Sequence, residues 1–268
     1  MSTAFHPRTQ PAFDRAWADD RAWAAKLAQD RATATRHQSA EQRKVTDTLV
    51  RRAIEAGAEA FALTGSTARN RRTEISDLDY HLVGPRPCHD DLSGEVDAYA
   101  GDRDHFWSKL RGGDDVVQWT LRLGLVLFDN GIFRAGTEAM VTEDLWPDPG
   151  LKLSRLPALG DLALRLIRMG DRDAAQDQVR ASLTCGARAL LLEKRVFPLA
   201  RSELPHQLHL IRSPDFAEAL EASIYTVRSL AELETDLRQL DRWLPSGSAG
   251  RPERRHQRGG ARDGRGHI

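Results

Sequence analysis

The chain has 268 residues, and its 39 Lys and Arg residues are balanced by 39 Asp and Glu residues, so the formal net charge is zero. A strongly basic nucleic-acid binder or an acidic solvating protein would show a large excess of one sign, so the balance excludes both classes. Hydrophobic residues make up 40% of the chain, enough for a buried core, which excludes wholesale disorder.

The charge is nevertheless unevenly distributed along the chain. Residues 245–268 have a net charge of +4, so the preceding 244 residues carry −4. The Gly, Arg and Ser content of this tail predicts a disordered extension. A contact between the tail and RNA or phospholipid head groups is the less favoured alternative.

Cysteine content and hydropathy predict the cellular location of the protein. Cys88 and Cys185 are the only cysteines, too few for a disulfide framework or a zinc cluster, so a reducing, cytoplasmic setting is expected. The longest apolar stretches, such as Leu123 to Phe128, are too short to span a bilayer, and the N-terminus lacks an apolar signal sequence. No membrane partner is therefore expected.

The chain begins with helical patterns. Apolar residues between Phe13 and Leu27 recur at near-helical spacing and predict an amphipathic helix, within an N-terminal helical extension over residues 1–38. Ser39 with Gln42 three residues later is a capping-box signature, and it predicts a second helix that ends before Gly57.

The period then changes to that of strands. Ala60 to Thr64 reads as a short buried strand stopped by Gly65, Ser76 to Gly84 as a second strand and Glu95 to Ala100 as a third. A short helix capped by Asp102 or Asp104 follows. The apolar stretch from Val116 to Phe128 is ambiguous, and we favour a helix that ends near residues 129–131.

Helical patterns dominate the remainder of the chain. We expect helices over 161–169, 173–193, 205–211 and 214–243. The predicted fold class is α/β of the α+β type: a small mixed β-sheet core with flanking helices over residues 39–150, followed by a C-terminal helical domain over 151–244.

Three acidic residues are expected to meet in the sheet. Asp77 and Asp79 are two residues apart on the second predicted strand, so their side chains share one face, and Asp97 lies on the third strand. If the two strands pair, three carboxylates converge. Such density is tolerable chiefly when divalent cations lie between the carboxylates, and Mg²⁺ prefers oxygen ligands and usually takes some from phosphates.

This arrangement suits phosphoryl or nucleotidyl transfer. Two Mg²⁺ ions would hold the attacking hydroxyl and the departing pyrophosphate. Gly65 would let the backbone approach a phosphate closely, and Ser66 would donate to phosphate oxygens. Arg69 lies in the same loop, together with Arg71 and Arg72, and would reach the triphosphate of ATP or another nucleotide.

These residues resemble a known family. A Gly-Ser pair, a short spacer, Asp-x-Asp on a strand and an Asp on a later strand are similar to the nucleotidyltransferase superfamily typified by DNA polymerase beta, especially its minimal and aminoglycoside-type bacterial members. The similarity covers about residues 60–130. It implies that Gly65 and Ser66 bind nucleotide phosphates and that Asp77, Asp79 and Asp97 bind metal.

Some positions stay open. Asp114 or Asp115 is a rival for the third acid, and Glu193, Glu203 and Glu218 are candidates for a general base from the helical part. Each motif also has a structural interpretation when taken alone: Gly-Ser as a capped turn, and Asp-x-Asp as an exposed edge strand. Their joint order along the chain favours function.

Four further features are interpreted as structural. They are His81, the pair His206 and His209, the indoles of Trp107 and Trp119, and the thiol of Cys185. The rival interpretations are contact with substrate or metal for His81, metal binding for the histidine pair, and stacking on a base for the indoles.

The functional hypothesis is a Mg²⁺-dependent transfer of a nucleoside monophosphate, with AMP from ATP preferred, to a hydroxyl of a small molecule, protein or RNA. The net charge of −4 over residues 1–244 slightly favours a cationic acceptor. The alternatives are a catalytically silent, antitoxin-like module that binds nucleotide or a partner protein through the same cleft, and a helical interaction protein whose α/β part is a scaffold.

Overall fold

A computed structural model describes residues 19–71, 77–88, 91–92 and 96–244. The predicted tail over 245–268 and the first part of the predicted N-terminal helix lie outside the described residues. Among the described helices, none combines the length and the apolar character that a membrane crossing requires.

Within the described part of the chain, helices and four strands are interspersed up to about residue 142, and from there to residue 244 the regular elements are helices. The strands are β1 (Ala60–Leu63), β2 (Leu78–Val83), β3 (Val96–Gly101) and β4 (Leu125–Asp129). The first six helices are α1 (Asp20–His37), α2 (Ala40–Glu55), α3 (Gly65–Ala68), α4 (Arg103–Arg111), α5 (Asp115–Leu123) and α6 (Ile132–Thr142). The later helices are α7 (Pro149–Leu153), α8 (Leu156–Met169), α9 (Arg172–Glu193), a 3-10 turn (Arg201–Glu203), α10 (Leu204–Leu210), α11 (Pro214–Tyr225) and α12 (Leu230–Trp243).

The sheet has the strand order β3-β2-β1-β4 and is mixed. Strand β1 pairs antiparallel with β2 and with β4, whereas β2 and β3 run parallel. The predicted fold class, a small mixed sheet with flanking helices and further helices towards the C-terminus, is confirmed.

Alternation along the strands places apolar residues on both faces of the sheet. Phe61, Leu63 and Tyr80 belong to a core on one face, which α2 covers with Val45 and Leu49. A second core on the other face joins residues of β1, β2 and β4 to α4, α5 and α6. A third core lies among α8 to α12. The inner strands β1 and β2 are therefore buried on both faces, whereas β3 is partly exposed.

Helix α1 covers the outer edge of β4. Asp30 accepts a hydrogen bond from the Val126 amide at 2.9 Å, and Arg31 Nε donates to the Leu127 carbonyl at 2.7 Å. Lys26 forms an ion pair with Asp30 on the next turn of the helix. Unpaired main-chain groups of an edge strand are thereby satisfied by side chains.

Several predicted element boundaries are confirmed. The capping box of Ser39 and Gln42 starts α2, which ends at Glu55, and Asp102 rather than Asp104 caps α4. The three predicted strands are present as β1, β2 and β3.

The prediction of one helix over 116–128 is wrong. Helix α5 ends at Leu123, Gly124 breaks it in an extended conformation, and Leu125–Asp129 forms β4. Four of these five residues pair with β1, and a register shift passes over Leu127. A partner distant in sequence therefore decides between helix and strand.

The prediction of one helix over 214–243 is also wrong. Residues 226–229 separate α11 from α12, and Ser229 starts the second helix with a capping box that includes Glu232. A Ser followed three residues later by Glu is the same signature that was recognised at Ser39, so the sequence carried the signal.

Candidate active site

The candidate site is built where β2 and β3 lie side by side next to the turn after β1. In the parallel pair, Asp79 is in register with Asp97, and His81 is in register with Tyr99. The rings of His81 and Tyr99 are 4.9 Å apart, which shows that these neighbours project to the same face. Because side chains two residues apart share a face, Asp79 and Asp97 project to that face as well.

Gly65 brings the main chain directly against Asp79. The Thr64 amide donates to the Asp79 carbonyl at 2.8 Å, and Gly65 has a φ of +63°. A Cβ atom on Gly65 would lie 1.7 Å from Asp79 Oδ2, so only glycine fits here. The turn therefore places the Gly65 backbone in contact with the Asp79 carboxylate.

The three acids influence one another electrostatically. Partial burial, together with the negative charges of Asp77 and Asp97, raises the pKa of Asp79 to about 6. Asp97 is exposed, whereas Asp77 and Asp79 are half-buried. The structure thus brings Asp77, Asp79 and Asp97 together, with Asp79 at the centre.

The fit to a metal depends on how many protein ligands the metal needs. Among residues 19–71, 77–88, 91–92 and 96–244, no group of three His, Cys, Asp or Glu side chains is arranged to hold a metal ion. Mg²⁺ commonly takes one or two carboxylates from the protein and completes its octahedron with water and phosphate oxygens. Asp77 and Asp97 lie close enough to Asp79 to influence its charge. This group of carboxylates fits Mg²⁺ better than it fits a metal that takes all its ligands from the protein.

Ser66 and Arg69 follow Gly65 along the chain. Ser66 is half-buried, and its carbonyl accepts a hydrogen bond from the Arg71 amide at 2.8 Å. The Arg69 guanidinium pairs with Glu203 at 3.1 Å, which ties this loop to the 3-10 turn of the C-terminal helices. Arg72 lies outside the described residues.

The rival acids have structural partners. Asp114 caps α5 by accepting from the Val116 amide at 2.8 Å. Asp115 is buried and pairs with Lys152 at 2.5 Å and with Arg188 at 3.5 Å. Neither residue shares the register of Asp79, so the structure places Asp97 beside Asp79.

The other residues weighed on sequence grounds lie in structural settings. His81 is buried, its Nδ1 lies 2.7 Å from Thr120 Oγ1, and burial lowers its pKa to about 4. Trp119 and Cys185 are buried, whereas Trp107 packs at the edge of a core with Arg111 over its ring. The histidines at positions 206 and 209 are both exposed.

Sequence reasoning missed two contacts of the site. Tyr99 follows Asp97 on the same face of β3, and its hydroxyl lies 2.9 Å from His105 Nε2. Alternation along β3 was a usable signal for Tyr99. The pairing of Arg69 with Glu203 joins residues 134 positions apart, and no local pattern could have found it.

Comparisons with known proteins add one finding. No protein-family model matches the chain, and a search of curated proteins finds no match. The crystal structure of a nucleotidyltransferase-like protein from Exiguobacterium sibiricum is similar to this structure with a TM-score of 0.39 and 17% sequence identity. The similarity covers 76% of this chain and 74% of that chain.

Proposed function

We propose that the protein is a Mg²⁺-dependent nucleotidyltransferase that moves a nucleoside monophosphate, AMP from ATP by preference, to an acceptor hydroxyl and releases pyrophosphate. The observation that supports this best is the contact of Gly65 with the Asp79 carboxylate, next to Asp97 in register. It brings a backbone suited to phosphate and a group of carboxylates suited to Mg²⁺ into one place.

In the proposed reaction, the acceptor oxygen attacks the α-phosphorus, and the bond from that phosphorus to the β-phosphate oxygen breaks. Mg²⁺, when bound, would neutralise the phosphate charge and stabilise the leaving pyrophosphate. Asp77 and Asp79 would hold the metal, and Asp97 would orient the acceptor hydroxyl and accept its proton. Because Asp97 is exposed, an acceptor can reach it from solvent.

Gly65 and Ser66 would hold the nucleotide phosphates through main-chain N–H groups and the Ser66 hydroxyl. Arg69 is paired with Glu203, so its role in this proposal is to position the loop and to offer its remaining donors to the triphosphate. Glu203 is thereby engaged by a cation, which argues against its use as the general base.

The experiment measures pyrophosphate release from ATP in the presence of Mg²⁺, with an extract of the source organism as the supply of acceptors. Asp77→Asn and Asp79→Asn should each lower the rate at least about a hundredfold while the fold is retained, because the metal loses a charged ligand. Asp161→Asn, an exposed acid on α8, is the matched control. Wild-type release that persists unchanged in a chelator contradicts the proposal.

Radiolabelled ATP identifies the acceptor in the same extract. A species that becomes labelled with wild-type protein but not with an Asp77 and Asp79 double variant is the acceptor. Separation of the labelled fraction into small molecule, protein and RNA then assigns its class.

A second function is favoured by one observation, the lack of a three-ligand group among the described residues. In this alternative the cleft binds nucleotide or a partner protein without turnover. Calorimetry with ATP and Mg²⁺ separates the two: tight binding without labelling of any fraction supports the silent module.

A further inference from the structure

We infer that the C-terminal helices carry a phosphate-binding site formed by Arg180, Thr184 and Arg188 of α9 together with Arg201 of the 3-10 turn. Residues four apart lie above one another on a helix, so the first three side chains form one line along α9. The inference goes beyond the proposed function, because a phosphate would be held here whether or not the chain transfers a nucleotide.

The positive charges of three guanidinium groups act on one another in this cluster. Partial desolvation lowers the pKa of Arg201, and the positive charges of Arg180 and Arg188 lower it further. Arg201 remains accessible to solvent and has no ion-pair partner within the described part of the chain. Like charges this close are unfavourable, and an anion that bridges the guanidinium groups would relieve the repulsion.

The carboxylates near the cluster do not balance it. Asp177 pairs with Arg180 at 2.8 Å, and Asp115 is shared between Arg188 at 3.5 Å and Lys152 at 2.5 Å. The four cations are the three arginines of the cluster and Lys152. Two carboxylates balance two of these charges, so two positive charges remain. A phosphate monoester carries roughly −1.5 to −2 charges near neutral pH, which matches this surplus.

Two donors in the line along α9 lack a partner. Thr184 Oγ1 and Arg188 Nε are both buried from solvent and make no hydrogen bond within the described residues. Buried polar groups nearly always have a partner, so an unsatisfied atom needs an explanation. A hydroxyl and a guanidinium N–H both donate to phosphate oxygens, and a single phosphate has enough acceptors for both and for Arg201.

The position of the cluster leaves two sources for the phosphate. Arg201 is two residues before Glu203, which binds Arg69 in the loop after Gly65 and Ser66. The cluster therefore lies where the C-terminal helices meet the candidate active site. The phosphate would belong either to the nucleotide or to a phosphorylated acceptor, and the second source would reverse the expectation of a cationic acceptor.

The test is titration calorimetry of the full chain with inorganic phosphate, in a chelator so that Mg²⁺ plays no part. We expect wild-type binding that Arg201→Gln weakens at least about tenfold, because one charge-assisted hydrogen bond is lost. Arg172→Gln is the matched control, since Arg172 is exposed and pairs only with its neighbour Asp173 among the described residues. This control should bind as the wild type does.

Thr184→Val separates ligand binding from folding. Removal of an unpartnered buried hydroxyl should leave the melting temperature unchanged or higher, yet weaken phosphate binding about threefold or more. Thr235→Val, whose hydroxyl donates to the Ala231 carbonyl on an exposed part of α12, should leave binding unchanged.

Titrations with ATP and with glycerol 3-phosphate identify the source. A loss confined to ATP in Arg201→Gln assigns the site to the nucleotide, and a loss confined to glycerol 3-phosphate assigns it to the acceptor. The Asp77 and Asp79 double variant should bind inorganic phosphate as the wild type does, so failure of the proposed transferase leaves this test intact. Absence of phosphate binding, or equal binding by wild type and Arg201→Gln, overturns the inference.

Discussion

At the scale of single residues, Gly65 links the backbone to the chemistry of the candidate site. Gly57 also has a positive φ, +86°, but a Cβ atom there would meet nothing within 4 Å. A side chain at Gly57 would therefore introduce backbone strain alone, whereas a side chain at Gly65 would also displace the Asp79 carboxylate.

We predict that Gly65→Ala abolishes Mg²⁺-dependent nucleotide binding, because the methyl group displaces the Asp79 carboxylate. Gly57→Ala should cost only about 1 kcal/mol of stability, the usual effect of a side chain at positive φ, and leave binding intact. Calorimetry with ATP and Mg²⁺ checks binding, and chemical denaturation checks stability. Equal nucleotide affinity in Gly65→Ala and wild type would show that the contact is unimportant.

His81 makes stability depend on pH. Burial lowers its folded-state pKa to about 4, whereas an unfolded chain titrates near 6.5, so stability is fully present above pH 6.5 and is lost as the pH falls towards 4. We predict that the wild type loses on the order of 2 kcal/mol from this group between about pH 7.5 and about pH 5.

His81→Asn should remove most of that acid-induced loss, although its stability near neutral pH is lower because a packed ring is lost. His206→Asn, at an exposed position, should keep the wild-type pH profile. Urea denaturation at each pH measures the free energy of unfolding. Parallel profiles for His81→Asn and wild type would assign the acid sensitivity to other groups.

At the scale of secondary-structure elements, side chains of α1 complete the edge of β4. Asp30 is buried, accepts from the Val126 amide and pairs with Lys26, while burial raises the pKa of its carboxyl. This carboxylate therefore joins the helix to the strand through one buried group.

We predict that Asp30→Ala lowers the free energy of unfolding by about 3 kcal/mol, since it leaves the Val126 amide and the Lys26 ammonium without their partner. Asp20→Ala, on the exposed start of the same helix, should change it by less than about 1 kcal/mol. Thermal and urea denaturation compare the variants. A small effect at Asp30 would show that water replaces the carboxylate.

The elements also show which parts of the fold are readable from sequence. Local signals, such as Ser39 with Gln42 or Asp102 before α4, predicted helix starts correctly. The misassignment of Leu125–Asp129 arose because the pairing of β4 with β1 connects residues more than 60 positions apart. Strand identity at that position depends on tertiary pairing, which a local pattern does not contain.

The candidate site follows the same rule. The shared face of Asp77 and Asp79 follows from the two-residue period of a strand, so it was predictable. The register of Asp79 with Asp97 and the ion pair of Arg69 with Glu203 depend on how distant segments pack. Only the three-dimensional structure supplies them.

At the scale of the whole molecule, the α/β part and the C-terminal helices share buried groups. Leu192 and Phe197, beyond the sheet in sequence, belong to the core formed by β1, β2 and α2. Trp146 donates to the Leu192 carbonyl at 3.0 Å, and Asp115 of α5 pairs with Lys152 and Arg188. The two parts are joined by apolar and ionic contacts.

We therefore predict one cooperative unfolding transition, seen at the same midpoint by tryptophan fluorescence and by far-ultraviolet circular dichroism. Asp115→Ala should lower the free energy of unfolding by about 3 to 5 kcal/mol, because Lys152 and Arg188 lose their buried partner. Asp173→Ala, which removes an exposed ion pair with Arg172, should change it by less than about 1 kcal/mol. Two separate transitions would contradict the prediction of a single folding unit.

The two outer strands of the sheet differ in how firmly they are held. Side chains of α1 seal the outer edge of β4, whereas β3, which carries Asp97, is the outer strand on the opposite side. Main-chain amides of β3 should exchange with deuterium sooner than those of β1, which has strands on both sides. The proposed acceptor-binding residue would thus lie on the strand that opens most readily, and a bound acceptor would slow that exchange.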